Sequence, residues 1–160
     1  MSRYIALDIE TANLDMEAEG LEFGNPRGWK TSCVCLYDFW IDEGVDMGRG
    51  YYYVPDPDAI ITVDPKLAGY AIRPLDTLQS DLTNYFKQDY TLVTKNGLGF
   101  DLPILSKHID DGGANCQEII EDYNGHDRHL DICQLLVELL GVSAFFVLGQ
   151  SDGIKLCPLL

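Results

Sequence analysis

Residues 3–11, Arg-Tyr-Ile-Ala-Leu-Asp-Ile-Glu-Thr, carry the strongest fold signal in this sequence of 160 residues. The apolar run that ends at Leu7 is typical of a buried strand that delivers a loop to the edge of a sheet. Successive side chains of a strand point to opposite faces, so Asp8 and Glu10 project together while Ile9 points the other way. The stretch therefore predicts a pair of carboxylates at the end of the first strand.

More extended chain follows a glycine-rich loop. Residues 31–40 combine β-branched and aromatic side chains with partial alternation, which predicts a second strand. Residues 51–54, after Gly48 and Gly50, predict a third strand that pairs antiparallel with the second. Residues 55–73 hold several prolines and aspartates without periodicity, so we expect a loop there.

Helices and strands alternate in the rest of the sequence. After Pro74, leucine and aromatic residues recur at three and four positions, which predicts an amphipathic helix to about Lys87. The further elements predicted are a strand at 90–94, a helix at 101–111, a weaker helix at 117–123, a short strand at 130–131 and a helix ending at Gly141. This order favours one α/β domain with a mixed β-sheet, an antiparallel hairpin and flanking helices.

Composition restricts the function classes. The chain has 11 basic and 26 acidic side chains, a formal net charge of −15 at pH 7, which repels a phosphate backbone over most of the surface. A nucleic-acid role must therefore come from a local site. The start of the sequence has no signal-peptide core, and the most apolar stretch, 132–148, is interrupted by polar residues. We expect a soluble, cytoplasmic protein with no membrane partner.

The cysteines do not indicate a metal site or a disulfide framework. They are odd in number and none are spaced as CxxC, and their positions are Cys33, Cys35, Cys116, Cys133 and Cys157. Cys33 and Cys35 fall on one face of the second strand, where we interpret them as small core residues.

Carboxylates at two places are candidates for a metal site. A DxE pair at a strand end, joined by a third carboxylate, can hold Mg²⁺ or Mn²⁺, and two such ions activate water in phosphodiester hydrolysis. Asp101 is the candidate third ligand, since it follows the glycine turn 96–100 at the start of a helix, where a negative charge is stabilised. If each motif is considered by itself, the alternative interpretation of Asp8 and Glu10 is a pair of solvated acids, and that of Asp101 is an N-cap residue.

Together, LDIET at 7–11 and KNGLGFDLPIL at 95–105 resemble the first two sequence blocks of the DEDD 3′–5′ exonucleases. The variant is similar to the proofreading-exonuclease-like proteins related to family B DNA polymerases. The resemblance covers about residues 3–11 and 90–140. It implies a ribonuclease H-like fold and a metal-binding nuclease, a hydrolase that acts on the 3′ end of a nucleic acid.

The resemblance also implies roles for single residues. The metal ligands would be Asp8, Glu10 and Asp101. The residues that help to place the substrate strand would be Thr11, Asn96 and Phe100. Residues 128–136 are similar to the strand and helix that follow the second block, where Asp131 would support the site. A plain N-cap of the following helix is the alternative role for Asp131.

One part of the family pattern has no evident counterpart. The third block, Tyr-x-x-x-Asp or His-x-x-x-x-Asp, supplies the fourth ligand and the residue that orients or activates water, and it is expected beyond residue 140. Residues 142–160 contain no Tyr or His, and Asp152 is their only acid. His126 and Asp131 match the spacing closer to Asp101. We expect residues 1–160 to form a single exonuclease-like domain whose part from about 142 to 160 is atypical or truncated.

Three functions from different classes remain open. The leading one is a metal-dependent 3′–5′ exonuclease that uses two Mg²⁺ or Mn²⁺ ions on DNA or RNA, alone or in a larger replication or repair assembly. The second is a non-catalytic binding or regulatory module that keeps the fold, which the missing third block favours. The third is an acidic mimic of nucleic acid, which the net charge alone permits but which leaves the DxE and NGxxFD motifs unexplained.

Overall fold

One mixed sheet of six strands organises the computed structural model, which describes residues 2–22, 25–42, 45–59, 70–107 and 114–140. The strands are β1 (Arg3–Thr11), β2 (Thr31–Asp42), β3 (Val45–Val54), β4 (Ala71–Pro74), β5 (Thr91–Thr94) and β6 (His129–Asp131). Their order across the sheet is β4-β3-β2-β1-β5-β6. Strands β1 to β3 form an antiparallel meander, whereas β4 runs parallel to β3, and β5 and β6 run parallel to β1.

Four α-helices accompany the sheet in the described ranges. They are α1 (Leu78–Lys87), α2 (Asp101–Leu105), α3 (Gln117–Gly125) and α4 (Ile132–Leu140). Helices α1 and α3 pack together, and the hydroxyl of Tyr123 donates a hydrogen bond to the carbonyl of Leu82 at 3.2 Å. The predicted α/β class is confirmed: the fold is a mixed β-sheet with an antiparallel hairpin and flanking helices. Within the described ranges, no helix is long and apolar enough to cross a membrane.

The alternation along β1 decides which face of the sheet carries the main core. Ile5, Leu7 and Ile9 are buried, whereas Asp8 and Glu10 are exposed on the opposite face. The predicted split of these side chains between the two faces is thus confirmed. The buried helical residues that join Ile5, Leu7 and Ile9 in the core are Leu78 and Leu82 of α1, Leu102, Ile104 and Leu105 of α2, and Ile119, Ile120 and Tyr123 of α3.

The strands differ from those predicted in three main places. β3 begins at Val45, six residues before the predicted start at residue 51. β1 continues to Thr11 instead of ending at Leu7, because it pairs with β2 along its whole length. A strand also lies within 55–73 and just beyond it, where the sequence predicted a loop: β4 pairs with β3 at the edge of the sheet. Edge strands tolerate proline because one side of the strand has no partner. An ion pair between Arg73 and Asp81, at 2.6 Å, holds β4 to α1.

One helix is also shorter than predicted. The helix expected at 101–111 ends at Leu105, and Ser106 and Lys107 follow in a turn and a bend. The remainder of that prediction, at 108–111, lies outside the described residues. So does the segment 142–160, in which the third sequence block was sought.

A carboxylate is buried in the sheet away from the strand ends. Asp38 of β2 is 5% exposed, and its Oδ1 has no hydrogen-bond partner within the described part of the chain. Burial raises the pKa of Asp38 above its usual value. The neighbouring Tyr90 hydroxyl and the Arg49 and Arg3 guanidinium groups lower that pKa but do not outweigh the burial.

We expect Asp38→Asn to stabilise the protein at pH 7–8. The carboxyl group of Asp38 has a higher pKa in the folded chain than in the unfolded chain. Such a group makes its full contribution to the free energy of unfolding when the pH is below its pKa in the unfolded chain, and this contribution is lost as the pH rises through its pKa in the folded chain. The free energy of unfolding should increase measurably at pH 8 and hardly at all near pH 3. Urea unfolding at the two pH values measures the difference.

The matched control is Glu118→Gln, which removes the same charge from an exposed side chain on α3. This variant should show no comparable gain at pH 8. An Asp38→Asn protein that is less stable than the unmodified chain at pH 8 would contradict the expectation.

Candidate functional site

The carboxylate of Asp101 lies against the backbone of β1 at Ile9, the residue between Asp8 and Glu10 in the sequence. Its Oδ1 accepts a hydrogen bond from the backbone N–H of Ile9 at 3.1 Å. Asp101 is 4% exposed and is the first residue of α2. β5 runs parallel to β1, and the chain after β5 leads into α2. The hydrogen bond therefore joins the two predicted motifs at the carboxyl ends of these strands.

Burial dominates the electrostatics of Asp101. Loss of contact with water raises the pKa of Asp101 to about 6; the N–H of Ile9 lowers it, and the charges of Asp8 and Asp131 raise it further. The sequence predicted that the start of a helix would favour the anion. Helix α2 has only five residues, and its effect does not offset the desolvation. Asp8 and Asp131 are therefore close enough to Asp101 to interact with it through charge.

Asp8 and Glu10 lie on the exposed face of β1. Their partners across the antiparallel pair are Cys35 and Cys33 of β2, in that order. The pKa of Cys35 is raised, chiefly by its contact with Cys33 and by burial, and further by the two carboxylates. A shift of register follows Glu10 in the pairing with β2, an irregularity that redirects side chains at the edges of sheets.

The cysteines of β2 do not belong to the main core. Cys33 and Cys35 are half-buried and share a sheet face with the two exposed acids. The prediction that both are core residues is therefore wrong for the main core, which lies between the sheet and the helices. The periodicity of the sequence places both cysteines on one face of the strand, but it does not indicate which face the helices cover.

The donors at this edge suit a hard cation, although they do not form a complete metal centre. Across the described ranges, no group of three or more His, Cys, Asp or Glu side chains is arranged to hold a metal ion. Asp101 directs Oδ1 to a backbone N–H, while Asp8 and Glu10 are exposed. The residues that could hold a cation are these three, and carboxylate oxygens are the ligands that Mg²⁺ and Mn²⁺ prefer.

Asp131 fastens the loop that precedes Asp101. Its Oδ1 accepts hydrogen bonds from the N–H groups of Asn96 and Cys133, and its Oδ2 accepts one from Leu98, each at 3.0 Å. The bond from Cys133 is an N-cap bond at the start of α4, so this alternative role is present. The other two bonds connect β6 to the loop after β5, which leads to Asp101.

The glycines of the NGLGF turn are required by close contacts. Asn96 has a φ of 60°, in the left-handed region that Asn tolerates better than most residues. A Cβ on Gly97 would lie 2.3 Å from Oγ1 of Thr94, and one on Gly99 would lie 2.7 Å from Oδ1 of Asn96. The Asn96 side chain therefore lies against the turn, whose compactness depends on both glycines.

Phe100 directly precedes Asp101 in the sequence, and Thr11 directly follows Glu10. The Phe100 ring meets Trp29 edge-on with centroids 5.0 Å apart. Trp29 is buried in the connection between β1 and β2, and the amino group of Lys107 donates to its carbonyl. Thr11 is half-buried at the end of β1. Sequence reasoning missed Trp29; its large apolar ring just after a glycine-rich loop was the available signal.

His126 lies just before the amino end of β6. It follows α3, with Nδ1 at 2.9 Å from the carbonyl oxygen of Asp122, and its ring packs edge-on against Phe86 at 5.4 Å. His126 precedes β6 while Asp131 ends it, so the two residues lie towards opposite ends of that strand. The structure does not bring His126 together with Asp101.

Comparisons with known proteins give matches among solved structures. No protein-family model and no curated protein matches the sequence. Escherichia coli exonuclease I in complex with a dA16 oligonucleotide is similar with a TM-score of 0.45 and 12% identity, over 88% of this chain and 30% of that chain.

Two further structures of exonuclease I give the same result. The ExoI/SSB-Ct complex has a TM-score of 0.45 at 12% identity, over 87% of this chain and 30% of the other. Apo exonuclease I has a TM-score of 0.44 at 14% identity, over 87% of this chain and 31% of the other. The chain thus spans about 30% of the length of these proteins, and the similarity is one of backbone arrangement.

Proposed function

We propose that this chain is a metal-dependent 3′–5′ exonuclease of the DEDD type that hydrolyses phosphodiester bonds at the 3′ end of DNA or RNA. The hydrogen bond from Ile9 to Asp101 is the observation that carries the proposal. It holds a buried carboxylate against the strand segment that bears Asp8 and Glu10. Two unrelated surface features, solvated acids and a helix cap, would not explain why Asp101 is buried there.

The charges at this edge favour a cation. Asp101 has a pKa of about 6 because of burial, and the charge of Asp8 raises that pKa as well. A divalent cation held by Asp8, Glu10 and Asp101 would relieve the cost of ionising Asp101 at neutral pH. Bound Mg²⁺ or Mn²⁺ would activate water and stabilise the leaving oxygen. It would also reduce locally the repulsion between a nucleic acid and a chain of net charge −15.

The remaining residues position these groups. Asp131 fixes the backbone at Asn96 and Leu98 and so holds the turn that leads to Asp101. Thr11, Asn96 and Phe100 are the proposed contacts to the substrate strand. His126 has no part in the proposal because it lies before the amino end of β6, whereas Asp131 lies at the carboxyl end of that strand.

A second candidate rests on a different observation. In the described ranges no three ligating side chains are arranged to hold an ion. This favours a non-catalytic module that uses the same edge to bind nucleic acid, by itself or within a larger replication or repair assembly. Cleavage of a labelled strand separates the two candidates.

Asp101→Asn should stabilise the metal-free protein at pH 8. The folded-state pKa of about 6 exceeds the usual value of about 3.9, so stability from this group is full near pH 4 and is lost as pH rises through 6. We expect a gain of roughly 1–3 kcal/mol in the free energy of unfolding at pH 8 and almost none at pH 4. Urea unfolding without metal measures it, with Glu118→Gln as the control.

Millimolar Mn²⁺ should raise the melting temperature of the unmodified chain, because a ligand of the native state alone stabilises it by mass action. Asp101→Asn and Asp8→Asn should reduce this gain, whereas Glu118→Gln should leave it intact. An unmodified chain whose melting temperature is the same with and without Mn²⁺ would count against the metal site.

Asp131→Asn should cost about 1–3 kcal/mol of stability, because an amide replaces one acceptor oxygen with a donor that faces a backbone N–H. If Asp131 also positions Asp101, kcat should fall in the folded variant while KM changes little. Leu82→Ala, a core change in α1, is the control for lost stability and should keep its kcat. Equal kcat values in the two variants would assign Asp131 a purely structural role.

Cleavage tests the proposed activity itself. With Mn²⁺, the unmodified chain should release mononucleotides from the 3′ end of a 5′-labelled single strand, and Asp8→Ala or Asp101→Ala should abolish the release. His126→Ala should cleave at the full rate. An unmodified chain that binds Mn²⁺ and the strand without cleaving it would establish the binding module instead.

A further inference from the structure

Strand β6 contacts the end of β5 with two of its side chains. Asp131 accepts hydrogen bonds from the turn that leads to Asp101. His129 lies two residues earlier, on the same face of β6, and its Nε2 is 2.8 Å from Oγ1 of Thr94. Thr94 is the last residue of β5 and is buried. A second side chain of β6 is therefore bonded to the segment from which this turn starts.

The partners of His129 determine which ring nitrogen carries the proton. Nδ1 lies 2.8 Å from Oδ1 of Asn124, an amide oxygen that can only accept a hydrogen bond, so Nδ1 is the donor. Burial lowers the pKa of His129 and outweighs the charge of Asp131, which raises that pKa. The ring is therefore neutral at pH 7, and the hydroxyl of Thr94 donates a hydrogen bond to the unprotonated Nε2.

The side chain of Thr94 lies directly against the turn. A Cβ on Gly97 would fall 2.3 Å from Oγ1 and 2.4 Å from Cβ of Thr94. Threonine is stiff about χ1 because it is branched at Cβ, and the hydrogen bond to His129 selects one of its rotamers. Another rotamer would change the groups that Thr94 presents to the backbone of Gly97.

Gly97 is bonded in turn to the helix that begins with Asp101. The backbone N–H of Leu102 donates a hydrogen bond to the carbonyl of Gly97 at 2.9 Å. Leu102 directly follows Asp101 in α2 and is buried. A continuous series of contacts thus runs from His129 through Thr94 and Gly97 to the backbone beside Asp101.

We propose that His129 is a positioning residue of the proposed site, which fixes the rotamer of Thr94 and thereby the turn at Gly97 and the placement of the Asp101 carboxylate. It acts through this turn and not on the reacting atoms. Its effect on cleavage rests on the proposed function, whereas its hold on the turn can be measured without any cleavage.

Two amide substitutions separate the two hydrogen bonds of the ring. Glutamine can place its oxygen where Nε2 of His129 lies, whereas asparagine can place its nitrogen where Nδ1 lies. His129→Gln therefore keeps an acceptor for Thr94, and His129→Asn keeps only a donor to Asn124. Since both variants lose the ring, a difference between them reports the bond to Thr94 and not the packing of the ring.

Amide hydrogen exchange at Leu102 measures the hold on the turn. His129→Asn should accelerate this exchange roughly fivefold to tenfold, the factor expected for the loss of one hydrogen bond, while His129→Gln should keep most of the protection. The amide of Leu82, in the core helix α1, reports global stability, so acceleration at Leu102 counts only where it exceeds that at Leu82.

Thr94→Val covers the case in which His129→Asn does not fold. Valine keeps the branched shape of threonine and removes the hydroxyl, so this variant should accelerate exchange at Leu102 by a similar factor. Thr91→Val, the same change earlier in β5, is the matched control and should leave that exchange nearly constant.

Cleavage tests the consequence for the proposed site. With Mn²⁺, His129→Asn should lower kcat roughly tenfold with little change in KM, and His129→Gln should restore most of that loss. If exchange at Leu102 responds as expected but the unmodified chain never cleaves, the hold of His129 on the turn is supported and the nuclease is contradicted.

The proposal is wrong if His129→Asn and His129→Gln give equal exchange at Leu102, which would assign the ring a packing role only. It is also wrong if Thr94→Val and Thr91→Val have the same effect, or if ¹⁵N NMR at pH 7 places the proton of His129 on Nε2. In an enzyme that cleaves, a kcat of His129→Asn equal to that of the unmodified chain would show that His129 does not position Asp101.

Discussion

The bond between the N–H of Ile9 and the carboxylate of Asp101 is the constraint on which the candidate site depends. It joins the central strand of the sheet to a helix that starts after β5, and it requires a carboxylate to leave water. The raised pKa of Asp101 is the cost of that burial. Asp131 supports the arrangement from the neighbouring strand through two backbone N–H groups of the intervening turn. Asp101 and Asp131 thus hold the segments at the carboxyl ends of these strands together by accepting backbone hydrogen bonds.

Much of the architecture follows from local sequence pattern. The period of two along β1 places its apolar and acidic side chains on opposite faces, and the period of α1 places Leu78 and Leu82 in the core. β4 escaped prediction because four residues that include Pro74 have little strand character of their own. Pairing with β3 and the bond from Arg73 to Asp81 create that strand. Such contacts join segments that local sequence pattern does not connect.

The candidate site was predictable only in part. The motif resemblance predicted the candidate site residues Asp8, Glu10, Asp101 and Asp131. It did not predict that Asp131 bonds two segments, which happens because its two oxygens accept hydrogen bonds from donors in the turn after β5 and at the start of α4. The contact of Phe100 with Trp29 joins distant segments and has no local signature. His126 matches a motif by spacing alone, and spacing does not indicate at which end of a strand a residue lies.

The central position of β1 has a consequence for the order of folding. Strands β1 to β3 are consecutive in sequence and can form a meander by local pairing, whereas the bond from Ile9 to Asp101 closes a loop of 92 residues. Closing long loops is entropically slow compared with local pairing. A cation that needs both acids of β1 and Asp101 would then bind after the folding barrier has been crossed. It would lengthen the lifetime of the folded chain by slowing unfolding, while the rate of folding would stay nearly constant.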